Sequence, residues 1–124
     1  MNLFDIENKV VLVTGGGGVL GGSMAEYLLQ NGAIVIILHY KKETIDVTVK
    51  RMSSISKKVD GYVCDVTDEK SLQDVSDAII SKYGKIDVLI NAAGGNMPGA
   101  TVGPTQSFFD INMDDFRKVV DLNL

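Results

Sequence analysis

Residues 10–22 read VVLVTGGGGVLGG, and this stretch decides the fold of the chain. Its first four residues form an apolar, β-branched run that predicts a buried strand. Beyond the glycines, Leu20, Met24 and Leu28 recur at helical spacing. Glycines at such a junction let the backbone turn tightly and approach a phosphate, and the following helix N-terminus favours anions. The stretch therefore predicts a strand, a phosphate-binding glycine turn and a helix.

The glycine turn can be interpreted as a dinucleotide-binding motif, as a P-loop or as a turn without a ligand. Residues 16–21 fit the pattern G-x-G-x-x-G, which four consecutive glycines satisfy easily, so the strand and helix around it give the match its value. A nucleotide-binding P-loop is disfavoured because Ser23 stands where that motif requires lysine. A glycine-rich turn without a ligand stays open as the alternative.

Strand and helix signals alternate along the rest of the chain. Apolar runs predict strands at 34–38, 59–64 and 86–90, and periodic segments predict helices at 41–58, 67–83 and 112–124. The last helix is separated from the last strand by a long loop over residues 91–111. Alternating strands and helices predict an α/β fold, a Rossmann-type doubly wound parallel sheet in the strand order 3-2-1-4. We expect one domain over residues 1–124.

Composition excludes several classes of protein. The 124 residues are 45% hydrophobic and have a net charge of −4, which fits a globular domain and argues against a nucleic-acid partner. The apolar runs are too short to span a membrane, and the N-terminus lacks the pattern of a secretory signal. A single cysteine, Cys64, fits a reducing compartment, so we expect a cytoplasmic protein. With one histidine, His39, no metal site is predicted.

The residues after the second predicted strand bear on the choice of cofactor. Dinucleotide sites for an unphosphorylated ribose place an acid about 20 residues after the glycines. This chain reads LHYKK at 38–42, with no acid before Glu43. His39 and Lys41, together with Lys42, would attract a 2′-phosphate, so we predict NADP(H) in preference to NAD(H). The alternative is that the two lysines form only a solvated helix start.

Four motifs together resemble the short-chain dehydrogenase/reductase family over the whole chain. They are TGGGGVLG at 14–21, Asp65-Val66 after the third strand, NAAG at 91–94 and VDLNL at 120–124. Two positions depart from the family pattern: Val19 replaces the middle glycine of the turn, and Ala92 replaces a second asparagine.

This resemblance implies a role for each motif. The glycine turn would bind the cofactor pyrophosphate through Gly15, Gly17, Gly18, Leu20 and Gly21. Asp65 and Val66 would contact the adenine. Asn91, Ala92, Ala93 and Gly94 would make room for a ribose, with Asn91 tying neighbouring strands. Asn123 would belong to the catalytic set, where its backbone holds a water in a proton relay. Asp65 as a helix-capping acid and Asn123 as an ordinary polar helix residue remain the alternatives.

A narrower resemblance is to sugar-acid reductases of the fructuronate reductase, or D-mannonate oxidoreductase, type. Four stretches resemble that group: residues 14–23, 91–98, 108–116 and 121–124. The implied reaction is hydride transfer between nicotinamide and a carbonyl or alcohol carbon. A polar small-molecule substrate fits the loop with Asn96, Thr101, Thr105 and Ser107, although any solvated loop has such residues.

The family acid, a tyrosine followed four residues later by lysine, has no match here. The four tyrosines, Tyr27, Tyr40, Tyr62 and Tyr83, are followed at that spacing by Asn31, Thr44, Val66 and Asp87. We therefore expect the 124 residues alone to be inactive and to be the front half of a longer reductase, which in the family is a dimer or tetramer. An unpaired edge strand at 86–90 points the same way. A non-catalytic dinucleotide-binding module and an inactive fragment remain open.

Overall fold

The computed structural model describes residues 2–95 and 97–124, and the chain divides into two compact units, Met1–Ala92 and Ala93–Leu124. The N-terminal unit contains β1 (Val10–Thr14), α1 (Val19–Gln30), β2 (Ile34–His39), α2 (Lys42–Met52), β3 (Val59–Val63), α3 (Glu69–Tyr83) and β4 (Val88–Asn91). The C-terminal unit contains 3₁₀ turns at Pro98–Ala100 and Phe108–Asp110, and helix α4 (Met113–Asn123).

The four strands form one parallel sheet in the order β3-β2-β1-β4, as predicted. Strand β1 is buried along its whole length, and β2 is buried at its four central residues. Strand β4 lies at an edge, and Leu89 is 55% exposed there. The two apolar central strands therefore form the buried centre of the sheet, whereas β3 and β4 are its edge strands.

Alternate residues of the central strands face two separate apolar clusters. Val11 and Val13 pack with Ala25, Leu29 and Met52, which come from α1 and the end of α2. Val10 and Leu12 pack on the other face with Cys64 and with Val75 and Ile79 of α3. Helices thus cover both faces of the sheet, which is the doubly wound arrangement predicted from the sequence.

Several predicted boundaries are wrong by a few residues for local reasons. The helix predicted over 41–58 ends at Met52, because the Ser53 and Ser54 hydroxyls donate to the carbonyls of Lys50 and Arg51 and so compete with further helical bonds. The strand predicted from residue 86 begins at Val88. Helix α3 is capped by Asp68 and ends at Gly84 with φ of 80°.

In the C-terminal unit, the long predicted loop contains two short turns. The second turn begins with a capping box, in which the Ser107 hydroxyl accepts from the Phe109 N–H and the Asp110 carboxylate accepts from the Ser107 N–H. The side chain of Asn112 caps α4 by accepting from the N–H groups of Asp114 and Asp115. This cap fixes where the loop becomes helix.

Candidate functional site

The carboxyl ends of the four parallel strands lie along one edge of the sheet. The Gly15 N–H donates to the Leu38 carbonyl over 2.8 Å, and the Cys64 N–H donates to the His39 carbonyl over 2.8 Å. On the other side of β1, the Ala92 N–H donates to the Thr14 carbonyl over 3.2 Å. The predicted site residues of the N-terminal unit follow these strand ends, at the place where open α/β sheets bind ligands.

The glycine turn between β1 and α1 leaves a helix N-terminus without a side-chain cap. Gly15 has φ of 66°, a left-handed conformation that suits glycine, and its carbonyl accepts from the Gly18 N–H over 3.0 Å. Gly18 is the N-cap residue, no side chain caps the helix, and the first turn has no acid. The first N–H groups of a helix have no intrahelical acceptor, so this end is suited to an anion.

Gly21 is the most tightly packed glycine of the turn. A Cβ at this position would overlap the Gly15 carbonyl oxygen and would lie 3.3 Å from the Ala92 Cβ. Val19, by contrast, is 93% exposed, so its departure from the family's glycine brings no side chain into the turn. The close approach of helix and turn therefore depends on Gly21. Leu20 lies beside it and is also exposed.

Gly17 lies against the end of the second strand. A Cβ at Gly17 would come 2.5 Å from Thr44 Cγ2 and 3.1 Å from His39 Cδ2. The turn, the β2 end and the start of α2 therefore meet at one corner. Glycine backbone beside an uncapped helix end is suited to the phosphates of a dinucleotide. The Thr44 and His39 side chains lie at the same corner, where a ribose could be placed.

The positive charge at this corner lies on lysine rather than on His39. The Lys41 N–H donates to His39 Nδ1 over 3.1 Å, a bond that requires the neutral ring. Burial and then the Lys41 ammonium hold the pKa of His39 below its usual value. His39 stacks on Tyr40 at 4.7 Å, and Lys41 Nζ lies 5.3 Å from the Tyr40 ring. The prediction that His39 contributes to binding a 2′-phosphate stays a prediction.

Asp65 is an exposed carboxylate that follows β3 after Cys64, and it is not a helix cap. Its Oδ1 accepts from the Thr67 N–H over 2.9 Å and from the Thr67 hydroxyl over 2.6 Å. These two bonds hold the pKa of Asp65 below its usual value. The capping alternative is excluded because Asp68 caps α3. The role of Asp65 and Val66 toward an adenine stays a prediction.

Thr14 is a residue of this site that the sequence reasoning did not single out. It is buried at the end of β1, where its hydroxyl accepts from the Ala92 N–H over 3.1 Å and lies 3.4 Å from the Ile90 carbonyl. Thr14 pairs with Asn91 in the register of β1 and β4. The sequence signal for this role is that Thr14, a polar residue, ends an apolar strand directly before the glycines. The roles predicted for Asn91 and Ala92 stay predictions.

Within the C-terminal unit, the Asn123 side chain binds the backbone of a second glycine segment, Gly94–Gly95, which we call the glycine loop. Its Nδ2 donates to the Gly95 carbonyl and to the Val119 carbonyl, each over 2.8 Å, and its Oδ1 accepts from the Gly95 N–H over 3.2 Å. A Cβ at Gly94 would lie 2.6 Å from Asn123 Oδ1. The side chain of Asn123 is therefore used for positioning, so a proton relay would use its backbone. Ala93 directly precedes this loop.

The polar loop of this unit contains a shallow cavity of about 460 Å³ lined by Met97, Pro98, Thr101, Gly103 and Gln106. Asn96, which was predicted to fit a polar substrate, lies outside the described residues. In residues 2–95 and 97–124, no group of three His, Cys, Asp or Glu side chains is placed to hold a metal ion. No helix of those residues is long and apolar enough to cross a bilayer.

Comparison with known proteins decides the family. Residues 9–124 match the short chain dehydrogenase family. The chain belongs to this family. Among curated relatives, the 3-oxoacyl-[acyl-carrier-protein] reductase FabG of Thermotoga maritima is 40% identical over 119 residues. The uncharacterized oxidoreductase UxuB of Bacillus subtilis is 34% identical over 127 residues. Each alignment covers 96% of this chain and 46% of the relative, so the chain spans less than half the length of these short-chain dehydrogenases.

Solved structures of the family share the fold. A candidate D-mannonate oxidoreductase of Haemophilus influenzae with bound NAD superposes with a TM-score of 0.87 at 30% identity, over 96% of this chain and 46% of that one. An NAD⁺-bound xylitol dehydrogenase superposes with a TM-score of 0.84 at 31% identity, over 96% of this chain and 44% of that one. The Rossmann-type fold and the family resemblance predicted from the sequence are both confirmed.

Proposed function

We propose that this chain is the dinucleotide-binding half of an NAD(P)(H)-dependent short-chain dehydrogenase that interconverts a carbonyl and an alcohol. The observation that supports the proposal most directly is the helix end at Gly18, which has neither a capping side chain nor an acid in the first turn. The tight packing of Gly21 against Gly15 brings this end close to the sheet edge. Both features suit a bound diphosphate.

The nicotinamide cofactor supplies the hydride when it is bound, and the protein supplies positioning and proton transfer. In this chain, the residues of the glycine turn would hold the pyrophosphate, and Asp65 with Val66 would hold the adenine. Asn91, Ala92, Ala93 and Gly94 would line the ribose. The Asn123 side chain orients the Gly94–Gly95 backbone, which leaves the Asn123 backbone for the relay water.

The charges at the end of β2 support a preference for NADP(H). A carboxylate would chelate a ribose diol and repel a 2′-phosphate, and residues 38–42 contain none. Lys41 lies over Tyr40 at this corner, whereas Lys42 is paired with Asp46 at 2.9 Å. Lys41 is therefore the cation that we assign to the phosphate. The solved neighbours named above hold NAD, so this preference requires a direct measurement.

We propose a polar substrate of the sugar-acid class, such as fructuronate or mannonate. Support comes from the candidate D-mannonate oxidoreductase and from the xylitol dehydrogenase among the structural neighbours, both named for polyhydroxylated compounds. The loop cavity of the C-terminal unit has Thr101 and Gln106 in its lining, which suits hydroxyl groups. We further propose a cytoplasmic location and a homo-oligomeric state for the complete reductase.

The binding proposal is tested with two substitutions at the helix cap. Gly18 has φ of −81° and ψ of 177°, which Asp and Asn adopt readily as N-cap residues. Gly18→Asp and Gly18→Asn should both cap the helix, but only the carboxylate repels phosphate. Titration with NADPH, followed by its fluorescence, should show binding to the unaltered chain and an affinity for Gly18→Asp about tenfold below that for Gly18→Asn. Equal affinities of the two variants would refute phosphate binding at this end.

One alternative fits the same sequence as the proposal. None of the four tyrosines of this chain is followed four residues later by lysine, so the chain has no match to the family acid. A non-catalytic dinucleotide-binding module would bind cofactor and show no turnover. A turnover assay of the 124 residues with NADPH and fructuronate is expected to be blank under either proposal. The same assay on a longer protein that contains this chain distinguishes the two.

A further inference from the structure

His39 occupies the position at which dinucleotide-binding folds commonly place a ribose-binding acid. It is the last residue of β2 and follows the glycine turn by about 20 residues. A histidine differs from an acid in that it is a hydrogen-bond donor when neutral and a cation when protonated. The corner of the fold around His39 determines which of these forms meets a ligand.

The ring of His39 is held by three neighbours. Its Nδ1 accepts from the Lys41 N–H over 3.1 Å, and its face stacks on Tyr40 with an interplanar angle of 20°. Its Cδ2 faces Gly17, close to the position that a Cβ there would take. Because Nδ1 is an acceptor, the neutral ring has its proton on Nε2. Within residues 2–92, no group accepts a hydrogen bond from Nε2.

The charged groups around His39 are few and can be named. Lys41, on the β2–α2 connection, is the charged group that acts on the ring, and together with burial it lowers the pKa of His39. Lys42 of α2 is paired with Asp46 on the helix surface, Glu43 lies in the same first turn, and Asp65 beyond β3 is bonded to Thr67. From the remaining neighbours, Gly17, Thr44 and Val63, no charge faces the ring.

We propose that His39, which lies where this fold sets the choice of cofactor, discriminates between the two 2′-substituents by its protonation state. The neutral ring donates Nε2–H to a ribose hydroxyl, whereas the imidazolium joins Lys41 in binding a 2′-phosphate. Protonation also breaks the Lys41 N–H bond, because Nδ1 then has no lone pair to accept it. The selection between the two cofactors therefore shifts toward the phosphorylated one as the pH falls. This inference rests on the proposed function, since it needs a dinucleotide at this corner.

The experiment measures dissociation constants for NAD⁺ and NADP⁺ between pH 5 and pH 8 by calorimetry. The matched control is His39→Asn, whose amide oxygen can accept from the Lys41 N–H but does not titrate in this range. A phosphate monoester itself titrates near pH 6. That effect is common to both proteins and cancels in their comparison. Relative to His39→Asn, the unaltered protein should gain about tenfold in preference for NADP⁺ on acidification, the effect of one charge-assisted hydrogen bond.

Three outcomes are distinguishable. A pH-dependent gain that His39→Asn lacks supports the proposal, and the Lys41 amide signal in an NMR titration should then move together with the His39 ring signals. Parallel pH profiles in the two proteins would overturn the selection by His39 while leaving the proposed function intact. Failure of both cofactors to bind would overturn the proposed function and this inference with it. If His39→Asn does not fold, His39→Gln and the NMR titration of the unaltered protein give the same decision.

Discussion

Gly21→Ala should destabilise the protein, although alanine is the better helix former. The new Cβ would overlap the Gly15 carbonyl oxygen, would lie 3.0 Å from the Gly15 carbonyl carbon and would lie 3.3 Å from the Ala92 Cβ. Backbone atoms cannot rotate away as the end of a side chain can. Overpacking of this kind costs about 1–3 kcal/mol, and the helix-propensity gain of at most about 1 kcal/mol offsets only part of it.

Gly22→Ala is the matched control because it lies one residue further along the same helix. Its Cβ would meet the Gly16 carbonyl oxygen at 3.3 Å, a contact that a shift of a few tenths of an ångström relieves. Urea unfolding followed by circular dichroism should give a lower midpoint for Gly21→Ala, by about 1 M for a loss of about 2 kcal/mol. The midpoint for Gly22→Ala should stay near that of the unaltered chain. Equal midpoints for the two variants would refute the packing assigned to Gly21.

Three further predictions concern separate parts of the chain. Asn123→Ala should remove the clamp on the glycine loop, so the Gly95 amide should lose protection from hydrogen exchange; unchanged protection would contradict the clamp. Burial raises the pKa of Asp60, but hydrogen bonds from Lys82 and Tyr83 outweigh burial and leave this pKa below its usual value. The ionised Asp60 therefore stabilises the fold above its unfolded pKa, and this stability is lost as the pH falls through the folded value. Asp60→Asn should weaken the acid limb of a stability profile below pH 5, and an unaltered limb would refute the network. Cys64 is 2% exposed and burial raises the pKa of its thiol, so Ellman's reagent should label it only on unfolding; rapid labelling of the folded chain would refute its burial.

The order of elements could be predicted from local patterns. Four apolar runs and the helical segments between them predicted the parallel sheet and its strand order. The end of α2 at Met52 was missed because serine side chains compete with the helix there, a balance that apolar periodicity does not report. Boundaries therefore depend on single hydrogen bonds, whereas the existence of an element depends on many residues.

Some features of the candidate site could be predicted from the sequence and others could not. The glycines and the residues after each strand were visible in the sequence, since the carboxyl ends of parallel strands lie on one edge. The bond from the Ala92 N–H to the Thr14 hydroxyl was not visible, because it joins residues 78 positions apart through the register of β1 and β4. The bond from the Lys41 N–H to His39 Nδ1 was also not visible, because the residue type does not show which ring nitrogen accepts a hydrogen bond.

By itself, the sequence determined that this chain folds as alternating strands and helices around a glycine turn and that it resembles the short-chain dehydrogenases. Periodicity and backbone preference act over a few residues, so a linear pattern is sufficient to encode them. The tertiary structure alone decided which glycine packs most tightly and which atoms surround His39. Gly21 meets Ala92, and His39 meets Gly17, only after the sheet has assembled. Packing and electrostatic environment depend on distances in space, which residue order does not specify.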